Sequence, residues 1–225
     1  IGIEPKTVAL APTYERVVPL THYMWLSTHS SMAKAVKKTE IEPLMKLCNK
    51  PLVIKTASGE YNNSNYGDIS NIKSFMWKNR IRVKRPYLLN SMVRYLKAND
   101  MLPAICFVFS RKHVELAAKE IEVCLYEDGD IKSSTVEKEC RKILMDKLPN
   151  YREYLDLKEY TEMIALLEKG VAIHHAGIMP VLREMIELLF DRGYIKLLFA
   201  TETFAVGINM PTKTVVFTSL EKYTN

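Results

Sequence analysis

The chain has 225 residues, 48% of them hydrophobic, and a formal net charge of +6. It has no apolar run long enough to span a bilayer, no signal peptide and no Cys-x-x-Cys pair among its four cysteines. This argues against a membrane protein, a zinc site and a disulfide framework, and favours a reducing interior. The length allows one large domain or one domain with a sizeable insertion, and the basic balance is compatible with a polyanionic partner without identifying one.

The first hundred residues have a weak pattern of elements. The segments "TVALA" and "VPLTHYMWLS" indicate strands. From residue 29 to residue 85 the periodicity fades, and "SGEYNNSNYGDISN" is dense in turn formers, so this range is predicted to be an insertion or an extended loop. Near its end, "KNRIRVKRP" alternates basic and apolar residues, for which a solvated face is the simpler interpretation. A helical pattern returns in "YLLNSMVRYLKAND".

The rest of the chain alternates between strand and helix patterns. Strands are predicted in "AICFVF", "VAI", "IKLLFA" and "TVVFT". Helices are predicted in "HVELAAKEIEVCLY", in segments ending with "YTEMIALLEKG", and in "VLREMIELLFDRG". Pro180 suits the start of the last helix, while Gly170 and Gly193 suit helix ends. Short apolar strands between amphipathic helices predict an α/β fold with a parallel sheet covered by helices on both faces.

Polar loops follow three of the predicted strands. They are "SRK" after Phe109, "HHAG" after Ile173 and "TET" after Ala200. Functional loops of parallel sheets lie at the carboxyl ends of the strands, so the three loops are expected to line one edge together. The chain lacks Gly-x-x-x-x-Gly-Lys-Ser/Thr, an Asp-Glu-x-His box and Gly-x-Gly-x-x-Gly. It is therefore not expected to hold nucleotide phosphates and magnesium unaided.

The segment "FATETFAVGINMP" contains two unusual turns. Thr201 and Thr203, on either side of Glu202, could offer hydroxyl groups to a phosphate oxygen, although capping of the turn that follows is the simpler interpretation of Thr203 taken alone. Gly207 allows a close backbone approach and Asn209 could bind a ribose, but plain turn formation explains both residue types as well. Both interpretations stay open from the residues alone.

The other two loops are similarly ambiguous. Ser110 could bind phosphate or be only the N-cap of the next helix, and Arg111 could bind phosphate or be solvated. His174 and His175 are adjacent, so their side chains point to opposite sides of an extended chain. They form a poor metal pair, no third ligand is evident, and no metal site is assigned.

The quoted motifs resemble a known family. "FATETFAVGINMPTKTVVFTS" is similar to motif V of the superfamily-two helicases, specifically the exosome-associated, superkiller-type DExH-box RNA helicases. The stretch from "LLEKGVAIHHAGIMP" to "FATETFAVGINMP" follows the same branch, and "AICFVFSRK" resembles its motif IV. The resemblance implies the second RecA-like lobe, ending before the arginine-bearing motif VI. It divides the chain into an interlobe connection with the first strands (1–28), the insertion or loop (29–85) and the lobe core (86–225).

The resemblance also implies roles for individual residues. The residues expected to contact the RNA backbone or to shape its site are Ser110, Arg111, His175, Thr201, Glu202 and Thr203. The pair expected to face the ATP cleft is Gly207 and Asn209. No catalytic residue is expected in this chain, because ATP and Mg²⁺ would be bound mainly by a first lobe that lies outside it.

The function that the resemblance implies is ATP-dependent 3′-to-5′ RNA unwinding in RNA processing or decay. The implied partners are single-stranded RNA or a 3′-tailed duplex, the first lobe, and an assembly of the RNA-exosome type. The setting would be intracellular, nuclear or cytoplasmic, with a viral origin also open, and the 225 residues alone should be inactive. A DNA helicase of the same superfamily and a non-catalytic RNA-binding scaffold are the alternatives.

Overall fold

The computed structural model describes residues 18–28, 36–205 and 211–220. They fall into two compact units that divide between Arg82 and Val83. The predicted strand "TVALA" lies outside the described residues. None of the helices in the described ranges combines the length and apolar character that crossing a membrane requires.

The smaller unit contains a two-stranded antiparallel sheet and two helices. The strands are β1 (His22–Trp25), within the predicted segment "VPLTHYMWLS", and β2 (Pro51–Lys55). The helices are α1 (Lys38–Met45) and α2 (Asn63–Lys78). The interior of the unit consists of buried apolar side chains, namely Ile41, Cys48, Leu52, Ile69 and Ile72.

Much of the range 29–85 is regular structure rather than an extended loop. The turn formers do make a tight turn after β2, where Gly59 has a φ of +94° and donates to the Thr56 carbonyl at 3.0 Å. The Asn62 side chain then accepts from the Asn65 amide at 2.9 Å and starts α2. Asn and Ser are weak helix formers, so the burial of Ile69 and Ile72 supplies what local propensity does not. Whether the range is an insertion stays a prediction.

The larger unit is built on a four-stranded parallel sheet in the order β4-β5-β3-β6. Its strands are β3 (Ala104–Phe107), β4 (Val171–His174), β5 (Leu197–Ala200) and β6 (Thr214–Phe217). Its helices are α3 (Arg85–Ala98), α4 (Arg111–Lys119), α5 (Lys132–Lys147), α6 (Arg152–Leu155), α7 (Lys158–Leu167) and α8 (Pro180–Asp191). The predicted α/β architecture is therefore confirmed, as is the start of α8 at Pro180.

Helices cover both faces of the two central strands, β3 and β5. Every residue of β3 and β5 is buried, and successive strand residues point to opposite faces, so neither face is open to water. Ile105 and Leu198 belong to a core cluster with the apolar sides of α5, α7 and α8. On the other face, α4 contacts β4 and β5 and buries Val114. This two-sided burial explains why the sequences of β3 and β5 are apolar throughout rather than alternating.

Helix α4 is shorter than its sequence pattern predicts. The spacing predicts a helix through Tyr126, but α4 ends at Lys119. Leu125 leaves the helix and donates its amide to the Lys169 carbonyl at 2.9 Å, and the Tyr126 hydroxyl contacts the Tyr194 carbonyl at 2.7 Å. Leu125 is still buried, so the apolar pattern correctly marked burial but not helix. Tertiary hydrogen bonds here replace intrahelical ones.

A buried asparagine joins α3 to the segment after α4. Asn90 donates to the carbonyls of Pro86 at 2.9 Å and Glu120 at 2.8 Å, and accepts from the Glu122 amide at 2.9 Å. Because the side chain is buried, water cannot readily replace these bonds.

We expect Asn90→Ala to lower the free energy of unfolding by about 1–3 kcal/mol, since it leaves buried backbone groups unpaired. The measurement is urea denaturation followed by circular dichroism. Asn99→Ala is the matched control, because Asn99 caps the same helix through an exposed bond to the Tyr95 carbonyl. Equal losses in the two variants would contradict the role assigned to Asn90.

Candidate nucleic-acid interface

The last residues of three parallel strands lie at one level of the sheet. Phe107 of β3 pairs with Ala200 of β5, and Ala200 pairs with His174 of β4. The Val108 amide extends this level by donating to the Ala200 carbonyl at 2.9 Å. The three polar loops therefore leave the sheet from the same edge, as the strand pattern predicts. We call this region the carboxyl edge.

The first loop places Ser110 and Arg111 at the start of α4. Ser110 occupies the N-cap position with an extended backbone, and its side chain makes no capping hydrogen bond. Arg111 is the first residue of the helix and is exposed. The first amides of a helix have no intrahelical partner and carry partial positive charge, so this end of α4 favours an anion. The alternative that Ser110 serves only as a helix cap is therefore not supported, because its hydroxyl makes no capping hydrogen bond.

In the second loop, His174 joins three elements. Its backbone carbonyl accepts from the Thr201 amide at 3.2 Å, and its Nε2 lies 2.8 Å from Glu187 Oε1 on α8. A carboxylate partner favours the tautomer in which Nε2 carries the proton and donates. The ring also packs edge-on against Phe204, with centroids 4.5 Å apart. His174 is buried and thus links β4 and α8 to the turn that follows β5.

His175 turns to the other side of the chain. Its Nε2 lies 3.2 Å from Glu115 Oε1 on α4, an ion-pair distance without the alignment of a hydrogen bond. Its Nδ1 accepts from the Gly177 amide at 3.1 Å. A Cβ at position 177 would lie only 3.1 Å from that same nitrogen, so glycine is what allows the loop to close over the ring. The two histidines thus face different helices, as their adjacency predicts.

The third loop begins with a buried threonine. Thr201 is 7% exposed, and its carbonyl accepts from the Phe204 amide at 3.1 Å within a short 3₁₀ turn, Glu202–Ala205. Glu202 is half-buried in this turn. Thr203 belongs to the turn by its backbone. Gly207 and Asn209 lie outside the described residues, and their contact with ATP stays a prediction.

Two acidic residues that the sequence did not single out complete the carboxyl edge. Glu187 lies 13 positions after its partner His174, and Glu115 lies 60 positions before His175. Neither spacing corresponds to a helical or strand repeat, because both contacts are made between separate elements. Glu187 and Glu115 occur on the polar sides of amphipathic helices, where solvated carboxylates are ordinary.

Burial governs the protonation of both histidines. Desolvation lowers the pKa of His174 and outweighs the opposing effect of the Glu187 carboxylate; the charge of Arg183 lowers it further. Desolvation likewise lowers the pKa of His175, against the effect of Glu115 and together with that of Arg111. Both imidazoles are therefore favoured in their neutral form in the folded chain.

The parallel sheet, its flanking helices and the polar loops at its carboxyl edge define an α/β lobe of the RecA-like type. No protein-family model matches the chain. It is 40% identical over 135 residues to "Antiviral helicase SKI2" of Saccharomyces cerevisiae, covering 59% of this chain and 10% of that relative. It is 36% identical over 143 residues to "ATP-dependent RNA helicase mtr4" of Schizosaccharomyces pombe, covering 63% and 12%.

A third relative is "Exosome RNA helicase MTR4" of Mus musculus, with 38% identity over 140 residues, or 62% of this chain and 13% of the relative. Over about three-fifths of its length, this chain is homologous to DExH-box RNA helicases of the SKI2 and MTR4 type. The resemblance to the superkiller-type branch is confirmed. The chain spans about a tenth of the length of these curated relatives.

Lowered histidine pKa values predict that this lobe is sensitive to acid. Below the ordinary value of 6.5 the unfolded chain binds more protons than the folded one, so the free energy of unfolding falls as the pH drops. We expect His174→Gln, which cannot titrate, to make this decline shallower. The measurement is denaturant unfolding at several pH values between about 7.5 and 5.5. His113→Gln, at an exposed position on α4, is the control; an equally shallow decline there would contradict the prediction.

Proposed function

We propose that this chain is the second motor lobe of an ATP-dependent RNA helicase that moves 3′-to-5′ in RNA processing or decay. The observation that carries the proposal is the convergence of the motif IV and motif V loops at one sheet edge. Ser110 and Arg111 leave β3 there, and Thr201 leaves β5 beside them. Identity to helicases of the SKI2 and MTR4 type supports the choice of RNA and of ATP.

The chemistry of the carboxyl edge suits a sugar-phosphate backbone. The start of α4 offers helix amides, a hydroxyl and a guanidinium, all of which favour phosphate oxygens. Contacts to phosphate carry no base information, so binding would be insensitive to sequence and would weaken with salt. In this proposal Thr201 and Thr203 contact the same backbone, Glu202 shapes the turn, and His175 holds the neighbouring loop.

The turn after β5 would couple RNA to nucleotide. Thr201 starts this turn, and Gly207 and Asn209 follow in the same segment, where the proposal places the ATP cleft. ATP and Mg²⁺ would be held mainly by a first lobe, and hydrolysis would supply the energy for opening and closing the cleft. His174 and Glu187 fix the start of the turn from behind. The 225 residues alone are therefore expected to hydrolyse no ATP.

The setting of the proposed helicase follows from its relatives. An intracellular location, nuclear or cytoplasmic, and association with an RNA-exosome-type assembly are part of the proposal. Single-stranded RNA or a 3′-tailed RNA duplex is the proposed substrate. Similarity to RNA helicases of the SKI2 and MTR4 type supports these choices over a DNA helicase or a scaffold.

Removing the Thr201 hydroxyl should uncouple the turn from RNA. In the intact protein, we expect Thr201→Val to lower RNA-stimulated ATP hydrolysis about tenfold or more, the usual effect of losing a hydrogen bond to a charged group. Thr201→Ser retains the hydroxyl and should keep most of the activity. Steady-state ATPase assays with and without oligouridylate measure this. Equal rates in the Val variant and the unmodified protein would refute the proposed contact.

Arg111 should contribute charge rather than sequence recognition. We expect Arg111→Ala to weaken RNA binding to a similar degree for all base sequences, and to reduce the salt dependence of log K by about 0.7. Fluorescence anisotropy at several salt concentrations measures both effects. Arg192→Ala is the matched control, because Arg192 is exposed at the far end of α8, where the chain has returned to the opposite sheet edge. A full salt slope in Arg111→Ala would exclude a phosphate contact.

A further inference from the structure

The outer face of α2, in the smaller unit, carries exposed aromatic side chains on one helical stripe. Trp77 is 86% exposed and Tyr66 is 66% exposed. At 100° per residue their separation returns to nearly the same side of the helix, about 16 Å further along the axis. Lys73 lies one turn before Trp77 on this side and is also exposed. We call Tyr66, Lys73 and Trp77 the α2 stripe.

The fold of the smaller unit does not need this stripe. Helix α2 packs through an adjoining side, where Ile69 and Ile72 are 4% and 2% exposed. The chain contains only two tryptophans, and tryptophan is among the residues with the most apolar surface to bury. Leaving Trp77 in water therefore forgoes stabilisation that the same side chain would gain inside. A binding role accounts for that loss.

The surroundings of Trp77 are uniformly basic in sequence. After Asp68, this unit contains no further acidic residue, and the exposed basic residues that follow Asp68 are Lys73, Lys78, Arg80 and Arg82. Asp68 itself precedes Trp77 by nine residues, which places it on the opposite side of α2. None of the ion pairs formed within the described ranges uses one of these four basic side chains. Their charge is available to an anionic partner.

Ordinary helix chemistry explains only part of this arrangement. Lys78 lies in the last turn of α2, where a cation complements the helix dipole. Single exposed aromatic residues are also common on protein surfaces. Neither effect requires Lys73 one turn earlier, or a second aromatic side chain in register with the first.

We propose that the α2 stripe binds single-stranded RNA, with a base stacked on Trp77 and phosphates beside Lys73 and Lys78. Aromatic side chains set among cations bind single strands in this way, because every base has a face to stack and every linkage carries a charge. A polyanion without bases would use the cations but not the indole. The choice of RNA rests on the proposed function, while the stripe belongs to the smaller unit and shares no residue with the carboxyl edge.

Tryptophan fluorescence tests the stacking directly. In the 225-residue chain carrying Trp25→Phe, Trp77 is the single tryptophan. We expect saturable quenching of its emission by an oligouridylate of about 12 nucleotides, a length within the usual site sizes. Inorganic polyphosphate of similar charge is the base-free control and should cause little quenching. No quenching by the oligonucleotide, or equal quenching by both, would overturn the proposal.

Binding measurements with labelled oligouridylate test the energetics. We expect Trp77→Ala to weaken binding about tenfold, and Trp77→Phe, which retains a ring, to recover most of it. Lys73→Gln should weaken binding and reduce its salt dependence, whereas Lys142→Gln, at an exposed lysine of α5, should change neither. Circular dichroism checks that each variant folds. Unchanged affinity in Trp77→Ala would refute the RNA site, as would self-association of the chain that disappears in that variant.

These outcomes separate the inference from the proposed function. If Trp77→Ala binds RNA normally while Thr201→Val loses RNA-stimulated ATP hydrolysis in the intact protein, the proposed RNA site on the α2 stripe is refuted and the proposed motor-lobe function is supported. If oligouridylate quenches Trp77 but Arg111 and Thr201 variants behave as the unmodified protein does, the RNA site on the α2 stripe is supported and the proposed motor-lobe function is refuted.

Discussion

The pairing of β3 and β4 with β5 is the constraint on which the larger unit depends. Parallel strands cannot be joined by short turns, so each connection is a crossover of a dozen or more residues, and all carboxyl ends emerge on one side. The register brings Phe107, Ala200 and His174 to the same level. Residues far apart in sequence thereby become neighbours before any side chain contributes to binding. Strand order and register determine which residues meet at the site, and residue type then determines what the site can bind.

This placement puts polar groups where burial makes them costly. His174, His175 and Thr201 are each less than a tenth exposed, although they border loops. The Glu187 carboxylate on α8 offsets part of this cost for His174, and the Gly177 amide in the same loop does so for His175. These partners hold the loops in place more firmly than loop sequences alone would. Burial of the two histidines lowers their pKa values despite the opposing effect of the nearby carboxylates, so the carboxyl edge is sensitive to acid.

Local patterns predicted the parts of the structure that local physics determines. Apolar runs correctly predicted strands, and Pro180 and Gly193 correctly predicted the start and the end of α8. These predictions succeed because burial and backbone geometry impose characteristic residue types at regular spacings. Contacts between separate elements produce no regular spacing in the sequence, so the sequence does not predict the roles of Glu187 and Glu115. The smaller unit contains more regular structure than its sequence predicts, for a related reason. Asn- and Ser-rich segments resemble loops, and the burial of α2 becomes visible only once its partners are in place.

The net charge of the chain indicates where an anionic ligand would bind only after the side chains that form ion pairs are discounted. In the larger unit, several basic side chains lie against carboxylates: Arg85 pairs with Glu120, Lys119 with Glu162, and Arg192 with Glu139. Exposed pairs of this kind contribute little stability, but each removes a charge from the field that a distant polyanion experiences. The basic residues after Asp68 in the smaller unit have no such partners among the described residues. A modest total of +6 therefore conceals an uneven distribution, and it is this local excess, rather than the total, that would steer an anionic ligand.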